Sequence, residues 1–297
     1  MTRVQLTGAE WEFIGPYLPI GEYGPYPERL RQQFEGVIWR FKTGGQWWEM
    51  PAEFGAWSTV HNRFRQWRDA GVFEALMDED VLTALEKAAA EAEKARSKGG
   101  DCDEQTGQET EGGRKREERR CIRRRRKPRL KAALLGRSRG GQSSKIHVVG
   151  DQKCRPLAFI LTAGQAADSP QFIPVLRKVR VRGPLGRPRT RPGAVAGDKA
   201  YSSHGNRAHL RKRRIKAVIP EKKDQAANRK KKGSRGGRPV SHDADLYKGR
   251  NTVERLINKL KAWRGIATRY DKTPESYLAG LHLRASMIWL RDLTQTT

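Results

Sequence analysis

The amino-acid sequence predicts an α/β fold in which a mixed sheet is flanked by helices, preceded by a small all-α domain. Up to about residue 75, apolar side chains recur close to helical spacing. From Lys145 to Ile219, short apolar runs typical of strands alternate with helical segments, which indicates a mostly parallel or mixed sheet. The predicted division is therefore a helical domain at 1–75, a linking segment at 76–135 and a sheet domain at 136–293.

The helical domain contains two apolar stripes. One runs from Leu30 to Phe41 and ends before Gly44. The other belongs to a helix predicted from Ser58 to Arg68, with Ser58 as its N-cap. We expect the tryptophans of this domain to lie in the core rather than to stack on bases. These are Trp11, Trp39, Trp47, Trp48, Trp57 and Trp67.

Arginines occupy the other faces of the Ser58–Arg68 helix. The pattern is typical of a helix-turn-helix in which the last helix contacts DNA. It makes Arg63, Arg65 and Arg68 the candidate DNA-binding residues of this domain, which we expect to bind DNA without the rest of the chain. A plain three-helix bundle with basic residues facing solvent is the alternative.

The elements expected in the sheet domain follow from apolar runs and turn residues. They are strands at 145–149 and 157–162, a helix capped by Ser169 and extending to Val179, a short buried strand at 194–198, a helix at 205–213, a strand at 216–219, a basic glycine-rich loop over DNA at 221–240, and a last helix at 274–293 that packs on the sheet.

Composition indicates a nucleic-acid partner. The chain has 297 residues, a net charge of +28 and an isoelectric point near 10.6. Such a charge attracts polyanions, but it does not distinguish DNA from RNA. The three cysteines are widely spaced, which argues against disulfides or a zinc site. The lack of a long apolar run or signal sequence argues against a membrane location.

A low-complexity segment extends from Ser97 to about Lys131. Its second part, Arg114–Lys131, consists largely of arginine and lysine. Such a run buries too little apolar surface to order itself, so we expect either a disordered arm on phosphates or a charged helix. Its arginine-rich character suits DNA or RNA equally.

One stretch near the end of the chain combines charge with helical spacing. On a helix, Tyr247, Arg250, Glu254 and Lys261 fall within an arc of about 60°. A carboxylate among cations can hold a metal ion while the cations hold phosphate. The alternative is a solvated helix face with an Arg250–Glu254 ion pair at i,i+4.

These four residues match the Tyr-x2-Arg-x3-Glu-x6-Lys signature, and the chain resembles the bacterial insertion-sequence DDE transposases. Further similar text is Gly136-Arg-Ser-Arg-Gly-Gly141, Leu161-Thr-Ala-Gly-Gln165, Asp168-Ser-Pro-Gln-Phe172, Gly197-Asp-Lys-Ala-Tyr201, Gly233-Ser-Arg-Gly-Gly-Arg-Pro239 and Ala267-Thr-Arg-Tyr-Asp-Lys272. The resemblance spans about residues 3–85 and 130–293. It implies an RNase H-like fold that cuts and joins DNA strands with metal ions.

The resemblance also implies roles for particular residues. Asp198 and Glu254 correspond to the second and third catalytic carboxylates, which bind Mg²⁺ or Mn²⁺. Arg250 and Lys261 would hold DNA phosphate, and Tyr247 would orient the backbone. The implied partners are double-stranded DNA at element ends and target sites, and further copies of the chain. The implied location is the prokaryotic cytoplasm, at the nucleoid. For Asp198, a turn-forming role before Lys199 is the alternative.

The first catalytic aspartate of the family has no counterpart here. In the family it ends an apolar strand, and no such strand occurs between Gly71 and Gly136. The aspartates of this interval lie in helix-like or glycine-rich text; they are Asp78, Asp80, Asp101 and Asp103. We hypothesise an internal deletion near Met77 that removed a strand and a metal ligand.

Three functions remain open at this stage. The first is a transposase that binds insertion-sequence ends with impaired strand cleavage and transfer. The second is a non-catalytic DNA-binding protein that occupies those ends and limits transposition. The third is a basic RNA-binding protein, although the chain carries no motif of an RNA-binding module.

Overall fold

The computed structural model describes residues 6–19, 29–77, 132–138, 141–181, 188–240 and 243–294. Its helices are α1 (Gly8–Ile14), α2 (Leu30–Thr43), α3 (Trp57–Asp69), α4 (Val72–Ala75), α5 (Phe172–Arg177), α6 (His204–Lys212), α7 (Lys223–Lys231), α8 (Ala244–Lys248), α9 (Thr252–Lys261), α10 (Arg264–Thr268) and α11 (Pro274–Thr294). Its strands are β1 (Gly136–Ser138), β2 (Gly141–Gly150), β3 (Pro156–Ala163), β4 (Ala194–Ala196) and β5 (Lys216–Val218).

The N-terminal helices form where apolar spacing predicts them, with two corrections. The N-cap of α3 is Ala56, whose extended backbone starts the helix before Ser58, so the predicted N-cap is wrong. Trp67 is fully buried, but Trp48 and Trp57 expose 64% and 45% of their surfaces. Trp48 lies in a 3₁₀ turn of the α2–α3 connection and Trp57 is the first residue of α3, so neither joins the core.

The N-terminal helices share one hydrophobic core with α10 and α11. Phe41 of α2 lies at its centre and is fully buried. Gly265 and Gly280 leave room for Phe41. A Cβ on Gly265 would approach the Phe41 carbonyl oxygen to 2.7 Å, and a Cβ on Gly280 would approach the Phe41 ring to 2.2 Å. The boundary at residue 75 remains a prediction, but the core crosses it. Other members include Phe34, Val60, Phe64, Trp67, Phe73, Ile266, Tyr277, Leu281 and Leu283.

The described strands form two sheets. β1, β2 and β3 pair antiparallel, while β4 and β5 pair parallel with Val195 opposite Ala217. The combination of helices and strands is confirmed, although parallel and antiparallel pairs do not join in one sheet within the described ranges. β4 is not buried as predicted: Ala194 and Ala196 are exposed, and β5 is the only strand that pairs with β4 among the described residues.

Helix α11 packs on the sheet as predicted, in addition to joining the helical core. The Trp289 indole Nε1 donates to the Pro156 carbonyl at 2.8 Å. The Phe159 ring lies 5.7 Å from the His282 ring. The sheet is thereby attached to the same helix that closes the N-terminal core.

Two further expectations are wrong. Residues 223–231 of the predicted loop form helix α7, whose start is held by two hydrogen bonds from Arg229 to the Glu221 carboxylate. Ser169 is not a helix cap; it begins a 3₁₀ turn, and its hydroxyl accepts a hydrogen bond from Asn206.

Several predicted features lie outside the described ranges. These are residues 78–131 of the linking segment, including Arg114–Lys131, and the aspartates Asp78, Asp80, Asp101 and Asp103. Of the cysteines, Cys154 is described and is a buried free thiol. No helix in the described part of the chain is both long and apolar enough to cross a bilayer.

Candidate active site

Asp198 and Glu254 line one cleft of about 950 Å³ between β2 and β4. Residues of both strands line its walls, and so does Arg250. Two carboxylates that are 56 residues apart in the sequence therefore face the same space. The structure thus places both predicted catalytic residues on the walls of one cleft, and their catalytic role stays a prediction.

Asp198 is placed by β4 and the turn that follows it. The Gly197 amide donates to the Val218 carbonyl at 3.2 Å, which extends the pairing with β5. The exposed Asp198 side chain then caps a 3₁₀ turn, with Oδ1 accepting the Lys199 amide at 2.7 Å. The turn-forming role is thus present, and it uses one of the two carboxylate oxygens.

Glu254 is placed by the apolar face of α9. Leu256 and Leu260 are buried in a cluster with Phe159 of β3. Leu256 also lies against Gly150, where a Cβ would approach its Cδ2 to 2.6 Å. Glu254 itself is exposed in the first turn of α9. No cation pairs with its carboxylate among the residues that the structure describes.

The helix predicted from Tyr247 to Lys261 is interrupted. Tyr247 lies on α8, a 3₁₀ turn covers Gly249–Asn251, and α9 follows. The Arg250 guanidinium lies 5.1 Å from the Tyr247 ring centroid and does not pair with Glu254. Lys261 ends α9, about 10 Å along the axis from Glu254, and does not line the cleft. The alternative of an Arg250–Glu254 ion pair is therefore not observed.

Two further carboxylates line the cleft, and both are ion-paired. Asp168 Oδ1 lies 3.1 Å from the Lys145 ammonium and 3.7 Å from His147 Nδ1. Asp151 accepts the Arg155 amide at 2.8 Å and the Arg155 guanidinium at 2.6 Å. The four carboxylates thus divide into two neutralised groups and two without a cation.

The sequence did not predict the cluster of Asp168, Lys145 and His147. Lys145 and His147 alternate along β2 and so face one side of the sheet, which was the available signal. His147 Nε2 lies 2.7 Å from the Thr162 hydroxyl, and burial lowers the pKa of His147 despite Asp168. Burial, with Asp168 and Asp198 nearby, raises the pKa of Tyr201. The negative charges of both aspartates therefore act on one phenol.

Asn206 is a second residue without a sequence signal. It is buried, and its amide nitrogen donates at 3.1 Å to both the Ser169 hydroxyl and the Tyr201 carbonyl. These bonds join the turn after Asp168 to the turn after Asp198. We infer that Asn206 fixes the two aspartate-bearing turns relative to each other.

The candidate DNA-binding arginines of α3 differ in availability. Arg65 is exposed and Arg63 is half-buried. Arg68 bonds to Asp69 at 2.8 Å and donates to the Ser276 hydroxyl of α11 at 2.9 Å. Its guanidinium therefore links α3 to α11.

The donor set only partly fits a metal site. Asp198 and Glu254 supply carboxylate oxygens, the ligands that Mg²⁺ prefers. Within the described ranges, no group of three or more His, Cys, Asp or Glu side chains converges to hold a metal ion. Two carboxylates are fewer than two opposed ions require.

Comparison with known proteins identifies the family. A family model described as "Transposase DDE domain" matches residues 127–288, which is more than half of the chain. The chain belongs to the transposase DDE domain family. A second model, described as "Putative transposase of IS4/5 family", matches residues 6–77. Both parts of this DDE transposase family member thus match transposase models.

Individual relatives agree. The chain is 33% identical over 149 residues to the "Putative transposase for insertion sequence element IS6501" of Brucella ovis, covering 50% of this chain and 99% of that protein. It is 30% identical over 151 residues to the "Putative transposase for insertion sequence element IS402" of Burkholderia cepacia, covering 50% of this chain and 64% of that protein. No solved structure matches at a significant level.

Membership in this family implies a DNA substrate and a divalent metal ion. For the DDE transposase described here, it gives the cleft a chemical context. Asp198, Glu254 and Arg250 all line this cleft.

Proposed function

We propose that this chain binds insertion-sequence ends as a transposase whose metal-dependent strand cleavage and transfer are impaired. The observation that carries the proposal is the division of carboxylates in the cleft. Among the described residues, no cation pairs with Asp198 or Glu254, whereas Asp151 and Asp168 are neutralised by Arg155 and Lys145. The site thus offers two ligands where paired Mg²⁺ or Mn²⁺ ions need more.

The positions of Arg250, Tyr247 and Lys261 suggest their roles in binding DNA. Arg250 lines the cleft beside Glu254 and is the candidate to hold a phosphate there. Tyr247 holds the Arg250 guanidinium by stacking, which limits its orientations. Lys261 lies at the far end of α9, so we assign it to phosphates beyond the cleft. An RNase H-like sheet remains our interpretation of the two sheets.

A cleavage assay tests the catalytic part. End DNA is incubated with the full chain and Mg²⁺ or Mn²⁺, beside an intact relative. We expect this chain to nick DNA far less than the relative does. Any remaining nicking should be lost in Asp198→Ala and Glu254→Ala. Asp245→Ala is the matched control, since Asp245 is an exposed carboxylate that pairs with Lys248 outside the cleft. Nicking equal to that of the relative, lost in both cleft variants, would contradict impairment.

Binding to DNA is the second part of the proposal. We assign it to Arg63 and Arg65 on α3, with Arg68 serving mainly to join α3 and α11. Helix α7 adds exposed lysines that the sequence had placed in a loop: Lys223, Lys230 and Lys231. Phosphate contacts of this kind weaken steeply with salt and carry little sequence information.

A gel-shift titration of the full chain on end DNA measures this binding. Arg63→Ala with Arg65→Ala should weaken it, and Lys212→Ala with Lys259→Ala removes the same charge elsewhere as a control. Deleting Arg114–Lys131 should weaken binding to all sequences about equally. A loss confined to one sequence would show that this tract contacts bases.

A non-catalytic protein that occupies element ends and limits transposition is the second candidate function. The same ion-paired carboxylates favour it, since binding to ends needs no metal. A complete absence of nicking, together with retained end binding, would support it over an impaired enzyme. If structured RNA displaces end DNA from the chain when both are present at equal concentration, the RNA-binding alternative is favoured instead.

A further inference from the structure

Two strand edges without a strand partner face the same cleft. From Lys145 to Gly150, β2 pairs with β3 alone, and β4 pairs with β5 alone, among the described residues. Val148–Gly150 and Gly193–Gly197 both line the cleft. An open strand edge presents backbone N–H and C=O groups to any further strand. Here two such edges border one space.

Apolar side chains lie beside these edges on both faces of the sheet. Val148 packs against the cluster that contains Leu256. Val149 and Val195, one from each sheet, pack against the cluster that contains Phe172. A segment entering between the edges would thus meet apolar side chains on both faces, as an interior strand of a sheet does.

We propose that this cleft is an acceptor site for one extended, apolar strand supplied by a polypeptide other than a copy of this chain. A strand of five or six residues, about 17–20 Å long, matches the edge from Lys145 to Gly150. Binding adds backbone hydrogen bonds along the strand, and the apolar clusters select β-branched side chains. The strand would lie in the cleft that Asp198 and Glu254 also line, and its binding needs neither DNA nor a metal ion.

The path of the chain argues that the strand comes from elsewhere. Met77 packs against the same cluster as Ile146 and Val148, so the chain leaves the helical core beside β2. The next described segment starts at Ala132, where the Ala133 carbonyl accepts from Arg269 at 2.7 Å. Residues 78–131 contain no apolar run longer than Ala88–Ala90. The chain thus approaches the cleft without carrying a sequence suited to fill it.

A peptide titration tests the acceptor site without DNA or metal. The probe is a fluorescein-labelled peptide, Gly-Ser-Val-Ile-Val-Thr-Ile-Val-Ser-Gly, added to the full chain. The control peptide replaces the central Val and Thr by Pro, which lacks the amide donor and cannot continue a strand. We expect saturable binding by anisotropy, at least tenfold weaker for the control. Amide hydrogen exchange should slow at Lys145–Gly150 and Ala194–Ala196.

A variant pair locates the binding. Ala196→Arg fills the cleft from an exposed strand position, and Ala227→Arg adds the same charge at an exposed position of α7. Thermal unfolding of both variants reports that they are folded. We expect Ala196→Arg to weaken peptide binding at least tenfold and Ala227→Arg to leave it unchanged.

Three results would overturn the proposal. They are the absence of saturable binding, equal affinity for the two peptides, and peptide binding that a folded Ala196→Arg variant retains. A dimer whose amides at Ala194–Ala196 are already protected without peptide would also overturn it, since a second copy would then occupy the cleft.

Discussion

The helical region, α1–α4 with α10 and α11, buries its apolar residues differently from the sheet region, β1–β5 with α5–α9. In the helical region a single cluster extends from Leu6 to Leu290. In the sheet region three smaller clusters lie beneath short strands, and β4 stays exposed. The candidate active site lies in the region with open strand edges. Stability and chemistry are thus assigned to different parts of the molecule.

This contrast between the two regions explains how the chain tolerates a sheet with unpaired edges. A strand removed from the interior of a sheet leaves unpaired edges and uncovered apolar faces, each with an energetic cost. Here the N-terminal helices contact the C-terminal helices directly, so the largest core does not depend on β4 or β5. The deletion hypothesis near Met77 is compatible with a folded protein for this reason.

Removing the C-terminal part of the helical core should have the largest effect on folding. A fragment of residues 1–77 loses Leu281, Leu283 and the rest of α11, which cover Phe41 and Phe73. We expect the fragment to lack a cooperative thermal transition by circular dichroism, while the full chain unfolds cooperatively. This differs from the sequence-based expectation of an independent DNA-binding domain. A sharp transition of the fragment would restore that expectation.

A single substitution at the centre of this core should be the next in size. The Phe41 ring lies against Gly280 and is fully buried. Phe41→Ala should lower the free energy of unfolding by about 3–5 kcal/mol, from lost transfer energy and a cavity. Val195→Ala, at a half-exposed position of β4, should cost about 1 kcal/mol. Denaturant unfolding compares them, and equal losses would refute the contrast between regions.

A pH titration tests where the two regions meet on α11. His282 lies against Phe159, and burial, with a smaller effect of Lys178, lowers its pKa from 6.5 to about 4. The unfolded chain therefore binds the proton more tightly. The stability from neutral His282 is present above pH 6.5 and is lost as pH falls toward 4. The loss is on the order of 3 kcal/mol.

His282→Leu isolates this contribution. The difference in unfolding free energy between pH 7 and pH 4 should shrink in this variant. His204→Leu, at the exposed first residue of α6, should leave the difference unchanged. Asp271 responds in the opposite sense, since burial raises its pKa and its contribution falls as pH rises. Asp271 contributes equally to wild type and His282→Leu, so its effect cancels when the two are compared. If the pH dependence of stability is the same in both, His282 is not its source.

The sequence predicts local features better than the relation between these regions. Apolar spacing predicts α2 and α3, and short apolar runs predict β2 and β3, because those signals lie within one element. The bond from Arg68 to Ser276 joins residues 208 positions apart and leaves no local pattern. The shared core and the open strand edges therefore needed the structure.

The same distinction holds within the candidate site. Asp198 and Glu254 were predicted because each lies in a recognisable motif; both line one cleft, and their catalytic role stays a prediction. Asp168 and Lys145 meet only through the packing of β2 against the turn before α5. Helix α7 was missed because lysine and glycine content outweighed its alanines and glutamine in the prediction.

The smallest expected effect lies at the edge of the cleft. Arg155 pairs with Asp151 through two guanidinium nitrogens at 2.6 Å and lies 4.1 Å from the Trp289 ring centroid. Both groups are about one-fifth exposed, so solvent screens the pair only in part. Arg155→Ala should cost about 1–2 kcal/mol of unfolding free energy, from the lost charged hydrogen bonds and the ring contact.

A fully exposed ion pair provides the matched control for Arg155. Lys248 pairs with Asp245 at 2.9 Å on α8, and both side chains are largely in solvent. Lys248→Ala should cost about 0–0.5 kcal/mol, since exposed pairs contribute little. Chemical denaturation at low and high salt measures both variants. The Arg155 effect should persist at high salt because its ring contact and partial burial remain. Equal costs would mean that the edge of the cleft is as loosely held as the outer surface.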